Sequence, residues 1–378
     1  MYIHTVKDGE SLYDVAKKYG ISASKIIENN SLEASAPLPI GRKLLILTPT
    51  RTHTVRGGDT LSGISDRFDV KKELIRRYNP KLWGDDMTHA EQVIALKYDT
   101  PPHGGVLYNG YYYRGTSEER LRLALLISDY ITVSACTAVG DEIKCIFDDR
   151  EVVRRIRGAG VVPYMRVYRG GSPLSPTLCE RVIERASELG YLGIATDVYR
   201  DDGGEWLSVL SRTAHEAGLL LLCECDSPSV KVDAVADHTV LFYDKLGDGE
   251  IPSFKEGEEA FFRDYQKRCD PTRTFFDLPS LVYTPHGAVS YREAMRSASR
   301  SGRRIEYDSD RMICSYEAKT CRGRSVEDMT VRFESIENIK ARLELCAELG
   351  FMGIEFDIMR VPTEYLLLSF ALHAPVSV

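Results

Sequence analysis

The acidic residues of the longer, C-terminal part of the chain fall where apolar runs end. Gly190 to Arg200 reads as a buried strand between two helix-forming segments, and it delivers one carboxylate, Asp197, to its carboxyl end. Alternate residues of a strand share one face, so Tyr199 follows Asp197 on that face. Other short apolar runs close in the same way, on Glu224 and Asp226, on Tyr243 and Asp244, on Asp277, and on Glu355 and Asp357. Asp201, Asp202 and Glu205 come just after Tyr199, and Arg166 and Arg360 stand at comparable places. Carboxyl groups gathered at one mouth can run acid–base chemistry when their surroundings separate their proton affinities. With arginines among them they can equally form an ion-paired network that fills space. The spacing leaves both open.

The elements that must position these groups alternate. Strands are predicted at 106–112, 130–135, 161–167, 192–198, 219–225, 239–243, 274–278 and 353–358. Helices are predicted at 118–127, 149–157, 176–188, 205–217, 258–268, 291–301, 336–349 and 362–372, several of them closing on glycine (Gly190, Gly218, Gly350) as C-terminal caps do. Strands set between helices imply a parallel α/β sheet, and eight units imply a closed (β/α)8 barrel. In that fold chemistry gathers at the carboxyl ends of the strands, where Asp197 and the other acids fall.

Composition narrows the class. The chain has 378 residues, 43% of them hydrophobic, and a formal net charge of −7. Without a basic block, nucleic acid is not an expected partner. No apolar run approaches the roughly 20 residues of a membrane helix, so membrane insertion is not expected. The start, Met1-Tyr2-Ile3-His4-Thr5-Val6, lacks the basic-then-apolar pattern of a signal peptide. The nine cysteines are scattered and odd in number, which argues against a disulfide framework. Cys223 and Cys225 have no further ligands at useful spacing, so they read as buried thiols; neither a metal nor a cofactor is expected. His215, on a helix, reads as an exposed polar residue.

The first hundred residues contain a repeat. His4-Thr5-Val6-Lys7-Asp8-Gly9-Glu10-Ser11-Leu12 returns as His53-Thr54-Val55-Arg56-Gly57-Gly58-Asp59-Thr60-Leu61, an offset of 53 − 4 = 49. Tyr19 and Phe68, Ile26 and Ile75, and Asn30 and Asn79 keep that offset. A fixed period marks tandem copies of one small unit. Each copy reads as strand, capped helix, second helix, strand, with Ser11 and Thr60 at helix N-caps. Both copies resemble LysM modules, over 1–48 and 51–98, with Pro49-Thr50-Arg51 as a link. Tyr98 to Gly105, with its proline pair, reads as a semi-stiff spacer between the repeats and the barrel. The resemblance implies binding of glycans that contain N-acetylglucosamine, such as peptidoglycan and chitin, in a groove made by the two loops beside the helices. Carried over by position, the groove residues are Gly9, Glu10, Ser11 and Asn30, with Gly58, Asp59, Thr60 and Asn79. Copy two departs where Met87-Thr88-His89-Ala90-Glu91 replaces Leu38-Pro39-Ile40-Gly41-Arg42.

The barrel, over 105–378, resembles the family 18 glycoside hydrolases, and among them the LysM-bearing branch of spore cortex-lytic N-acetylglucosaminidases and spore germination proteins. The resemblance rests on Asn109-Gly110-Tyr111, Ser128 to Thr132, Leu241-Phe242-Tyr243-Asp244, Ala288 to Ala294 and Gly353 to Asp357, in order. It implies a D-x-x-D-x-D-x-E motif on the fourth strand, whose final Glu protonates the glycosidic oxygen while the last Asp orients the substrate's acetamide. Here those positions are Leu192, Ala195, Asp197 and Tyr199, so only Asp197 is retained. A phenol, with a reference pKa of about 10, is a poor proton donor to a leaving oxygen at neutral pH. The stacking Trp that the family places on strand eight is replaced by Asp357.

The α/β fold expected is therefore a (β/α)8 TIM barrel preceded by two small βααβ modules. The leading expectation for function is a glycan-binding protein whose barrel no longer hydrolyses. Asp197, Tyr243 and Asp244 are retained family positions, Tyr199 stands at the lost donor, and Glu224 is a candidate substitute acid. The first alternative is an active N-acetylglucosaminidase that uses such a displaced acid; the second is a structural spore-coat component. The resemblance implies deposition at a bacterial spore or cell wall after mother-cell synthesis; the alternative is a cytoplasmic place. The oligomeric state is open.

Overall fold

A computed structural model describes residues 1–33, 37–83, 89–98, 105–199, 204–243, 246, 251–284, 287–322 and 325–372. The first repeat runs β1 (Tyr2–Thr5), α1 (Leu12–Tyr19), α2 (Ala23–Asn29), β2 (Lys43–Ile46), and β1 pairs antiparallel with β2. Ser11 caps α1 in a reciprocal box with Asp14, and Gly20 ends it in the left-handed region that glycine enters without penalty. The second repeat is β3 (Pro49–Thr54), α3 (Leu61–Phe68), α4 (Lys72–Arg77), β4 (Val93–Tyr98). The expected link Pro49-Thr50-Arg51 is part of β3, because its backbone pairs with β4. Each repeat encloses its own small apolar core, Val15 with Ile26 and Leu44 in one, Ile64 with Ile75 and Ile94 in the other.

The chain then alternates: β5 (Leu107–Tyr113), α5 (Glu118–Ile127), β6 (Tyr130–Val139), β7 (Glu142–Cys145), α6 (Arg150–Gly158), β8 (Val162–Tyr168), α7 (Pro176–Leu189), β9 (Gly193–Val198), α8 (Glu205–Glu216), β10 (Leu220–Cys225), α9 (Val230–Asp233), β11 (His238–Leu241), α10 (Ala260–Arg268) and β12 (Thr274–Leu278). An excursion comes next: β13 (Leu281–Thr284), β14 (Gly287–Ser290), α11 (Tyr291–Ser301), β15 (Glu306–Asp308), β16 (Ile313–Arg322) and β17 (Ser325–Glu334). The barrel is completed by α12 (Ile336–Glu348), β18 (Gly353–Asp357) and α13 (Thr363–Leu372). Strands β5, β6, β8, β9, β10, β11, β12 and β18 pair in parallel, and β18 meets β5 to close the barrel. β7 adds an antiparallel flap to β6.

The lumen is filled by side chains. Tyr164, Ala195, Leu222, Val240 and Phe275 form an apolar layer, as interior-facing positions of a barrel do. Gly193 makes that layer possible: a Cβ there would lie 2.2 Å from the Tyr164 ring. The other strand face packs on the helices through residues such as Met165, Ile194 and Cys223. Cys223 and Cys225 are buried thiols, as expected, and burial pushes both upward in pKa. His215 is exposed and bonded to Asp237 at 2.8 Å.

Two arrangements differ from the sequence reading. Helix 291–301, expected in the ring around the barrel, belongs instead to the excursion, where α11 packs on the antiparallel sheet β14-β13-β17-β16-β15 over a separate core of Tyr291, Met295, Tyr316 and Phe333. The repeats are also not held on a spacer. Leu45 and Leu47 of the first, and Trp83, Ala95 and Tyr98 of the second, share one apolar cluster with Tyr108, Leu366 and Phe370 of the barrel. Spacer residues 99–104 lie outside the described residues.

Candidate functional site: the barrel mouth and the repeat loops

Parallel register sets the mouth. Asp197 lies level with Glu224, Asp277 with Glu355, and Glu355 with Asn109. Above the apolar layer, residues of the same facing converge on a cavity of about 360 Å³ lined by Tyr111, Arg166, Tyr199, Glu224, Tyr243, Asp277, Glu355 and Asp357. Tyr283 and Glu334 of the excursion complete one wall, which the sequence reading did not foresee.

Glu224, expected as a substitute acid, is not free to act as one. It is buried, and Arg166 grips it with Nε at 2.7 and 2.8 Å and Nη2 at 2.6 Å. Such a two-pronged charge-assisted pair fixes the Glu224 side chain and occupies both its oxygens. The Arg166 guanidinium lies over the Tyr111 and Tyr168 rings, at 5.5 and 5.4 Å.

Asp197 is wholly buried. Its Oδ1 accepts from the Arg169 backbone N–H at 3.2 Å, and the Arg169 Nε lies 3.8 Å from Oδ2. It does not line the cavity. Tyr199 does, and burial together with the charge of Glu224 pushes its phenol up to about 12, so it stays protonated. Ala195 sits in the apolar layer beside Tyr164 and Leu222, where a carboxylate would lack a partner. Tyr243 packs on the Phe261 ring at 4.8 Å. Asp244, like Asp201 and Asp202, lies outside the described residues.

The remaining acids are of two kinds. Asp357 accepts from the backbone N–H groups of Met359 (2.9 Å) and Arg360 (3.0 Å) and from the Tyr113 hydroxyl (3.2 Å). Glu355 accepts from Asn109 Nδ2 at 2.7 Å, and burial, with Glu224 and Asp277 adding like charge, pushes it well above the usual carboxylate range. Burial also drives Asp277 well upward, against the pull of Arg342. The Asp277 carboxyl has no hydrogen-bond partner among the described residues. The mouth thus holds two carboxylates fixed by arginines, Glu224 by Arg166 and Glu334 by Arg342, with carboxyls held toward their neutral form and several phenols, a set suited to hydrogen-bonding the hydroxyl and amide groups of a ligand. Among the described residues no cluster of His, Cys, Asp and Glu could hold a metal ion.

In the repeats, Gly9 and Gly58 take positive φ at the turn before α1 and α3. Glu10 bonds His4 at 2.8 Å and Asp59 bonds His53 at 2.7 Å, the same lock at the same offset. Ser11 and Thr60 are spent on helix caps. Asn30 and Asn79, expected in the groove, require correction. They are buried, and their amides are used up inside: Asn30 Nδ2 donates to Ile26 O and Leu45 O, while its Oδ1 takes the Leu45 N–H; Asn79 does the same with Ile75 and Ala95. They staple the second helix to the last strand.

The second loop of the first repeat is covered by the excursion. Ser299 Oγ donates to Pro37 O at 2.6 Å, the Ile305 N–H to Ile40 O at 2.8 Å, and Arg296 pairs with Glu33. A Cβ on Gly41, at φ 83°, would meet the Ile305 carbonyl oxygen at 1.9 Å, so only glycine permits that approach. The corresponding loop of the second repeat includes 84–88, outside the described residues.

Comparison with known proteins agrees with this division. Residues 4–47 and 53–101 match the LysM domain, so the two repeats are LysM domains. The chain is 38% identical over 82 residues to the putative sporulation-specific glycosylase YdhD of Bacillus subtilis, covering 22% of this chain and 19% of that protein. It is 31% identical over 100 residues to the cell wall-binding protein YocH of the same organism, covering 25% of this chain and 33% of that one. It therefore spans a third or less of the length of these relatives. The solved structure of the Bacillus cereus spore cortex-lytic enzyme SleL superposes with a TM-score of 0.73 at 17% identity, over 99% of both chains. At that identity the match establishes the shared fold: LysM domains joined to a closed eight-stranded barrel.

Proposed function

We propose that this protein binds peptidoglycan- or chitin-type glycans through its LysM domains, and that its barrel carries a ligand-binding mouth without hydrolytic activity. The observation that carries the second half is the state of the groups at the ends of β9 and β10. The donor position is a phenol pushed up to about 12, and the nearest substitute, Glu224, is clamped by Arg166. Losing a positioned general acid typically costs about 10²–10⁴ in rate. The match to LysM domains, and the similarity to a cell wall-binding protein, support the first half. They also favour a place at the cell wall or the spore.

A second reading is kept for one observation. Asp277 lines the cavity with its carboxyl held toward the neutral form, the state a proton donor needs. It makes this residue, rather than Glu224, the acid that a hydrolytic reading requires.

Retention on insoluble peptidoglycan and chitin tests the binding half. Gly57 has no atom within 4 Å of the Cβ it would gain, and Asp8 is its exposed counterpart at the same turn. Gly57→Tyr and Asp8→Tyr therefore block each turn without disturbing the fold. Gly57→Tyr is expected to lower retention more, because the excursion already covers the other loop of the first domain. Full retention in the Asp8→Tyr/Gly57→Tyr double variant would refute assignment of binding to these turns.

A further inference from the structure

A second cavity, of about 820 Å³, lies where four parts of the chain meet. α2 of the first LysM domain and Pro80–Lys81 of the second form one side. The start of α5, the segment 359–363 after β18 and the start of α11 form the other. It begins beside Arg360, three residues past Asp357 of the barrel mouth, and so leads from the LysM domains toward that mouth.

Its charges are unbalanced. Lys81, Arg120 and Arg292 line it, and none of the three side chains has an ion-pair or hydrogen-bond partner among the described residues. Of the acids that line it, Glu28 is already engaged by the Lys25 ammonium at 3.4 Å and by the Lys81 backbone N–H at 3.2 Å. Glu119 remains exposed beside Arg120. Arg120 is half-buried, and burial lowers its pKa against the attraction of Glu119 and Asp357, with the neighbouring Arg292 pressing the same way as burial. Gathering more cations than anions in a recess, with the three cations not directly paired, costs free energy in the unliganded protein, and an anion that enters recovers part of it. Guanidinium groups suit this role because their planar donors fit a carboxylate in pairs.

We propose that this groove is an anion-binding site for a carboxylate-bearing glycopeptide strand, with Arg120, Arg292 and Lys81 receiving its carboxylates as it passes from the LysM domains toward the barrel mouth. The choice of polymer rests on the cell-wall reading above; the anion site itself does not.

The test uses the full chain and soluble peptidoglycan fragments whose peptide carboxyls are either free or converted to amides, with affinity measured by calorimetry at low and high salt. The wild type binds free-carboxyl fragments at least about tenfold more tightly than amidated ones, and salt removes the difference. Arg120→Gln/Arg292→Gln loses that preference. Arg154→Gln, which removes an exposed cation paired with Glu151 on α6, keeps it. Retention on chitin, a neutral polymer, is unchanged in every variant. A wild type that binds both fragments equally, or a double variant that keeps the preference, overturns the proposal. Loss of chitin retention by the wild type, with the carboxylate preference intact, counts against the LysM reading and leaves this one standing.

Discussion

Arg166→Met exposes the role of the buried pair in the barrel mouth. Glu224 is 1% exposed and Arg166 8%, and three contacts of 2.6 to 2.8 Å join them. Removing the arginine leaves a largely buried carboxylate without its charge partner. Breaking a buried pair in this way costs about 3–5 kcal/mol, whereas replacing both partners with apolar residues is often neutral or stabilising. For a domain of this size each 1 kcal/mol moves the melting temperature by roughly 2–4 °C, so the single variant should fall by roughly 6–20 °C. Arg166→Met/Glu224→Leu should recover most of that loss. Scanning calorimetry on the three proteins at neutral pH reads the effect. The single variant should also regain stability as pH falls, because protonation neutralises the stranded Glu224. A shift of less than about 2 °C for Arg166→Met would refute the clamp, and with it the argument that Glu224 is unavailable as an acid.

Other expectations rest on the same geometry. Asn30→Ala and Asn79→Ala each strand the buried N–H and carbonyl groups that the amide served, and should cost about 1–3 kcal/mol, read as a lowered denaturation midpoint, with about 0.5–2 kcal/mol for Ser11→Ala or Thr60→Ala at exposed caps. The pH dependences of the two halves should have opposite sign. Glu10 and Asp59 are lowered, chiefly by the backbone N–H groups of Lys7 and Arg56, so their contribution is present above the ordinary carboxylate range and is lost as pH falls through the lowered folded value. Asp277 and Glu355 are raised by burial, so their contribution is full below the ordinary carboxylate range and is lost as pH rises toward the folded value. Hydrogen exchange resolved by segment reads both: α1 and α3 should open in acid while β12 and β18 gain protection. Asp277→Asn/Glu355→Gln should remove the barrel's share of this dependence.

Much of the barrel was legible because period-two and helical apolar patterns alternate, with glycines at helix ends. The excursion was not, because α11 has the same amphipathic pattern as a ring helix. The signal that separates them is the long stretch from Leu278 to Ile336, too much chain for a strand-to-helix loop. The LysM turns could be read from a short local motif. The fate of Asn30 could not, since two of its three bonds depend on where β2 returns fifteen residues later. The mouth was legible as a list of acids but not as a set of states. Glu224 is fixed by an arginine on β8, the Asp277 carboxyl has no hydrogen-bond partner among the described residues, and of Asp197 on β9 and Tyr199 just past its end only Tyr199 reaches the cavity. Docking of the LysM domains on the barrel depends on shape, such as Gly41 against Ile305, which no local pattern encodes.

The central claim, a glycan-binding protein whose barrel mouth does not hydrolyse, is tested most directly by product analysis. The unmodified chain is incubated with purified spore-cortex peptidoglycan and with chitooligosaccharides, and the products are resolved by mass spectrometry. The account predicts intact glycans and no released N-acetylglucosamine, and the same result for Tyr199→Glu, since Ala195 and Asp357 remain as they are. Clear turnover by the unmodified chain, abolished in Asp277→Asn, would contradict it and assign the missing proton donor to strand β12.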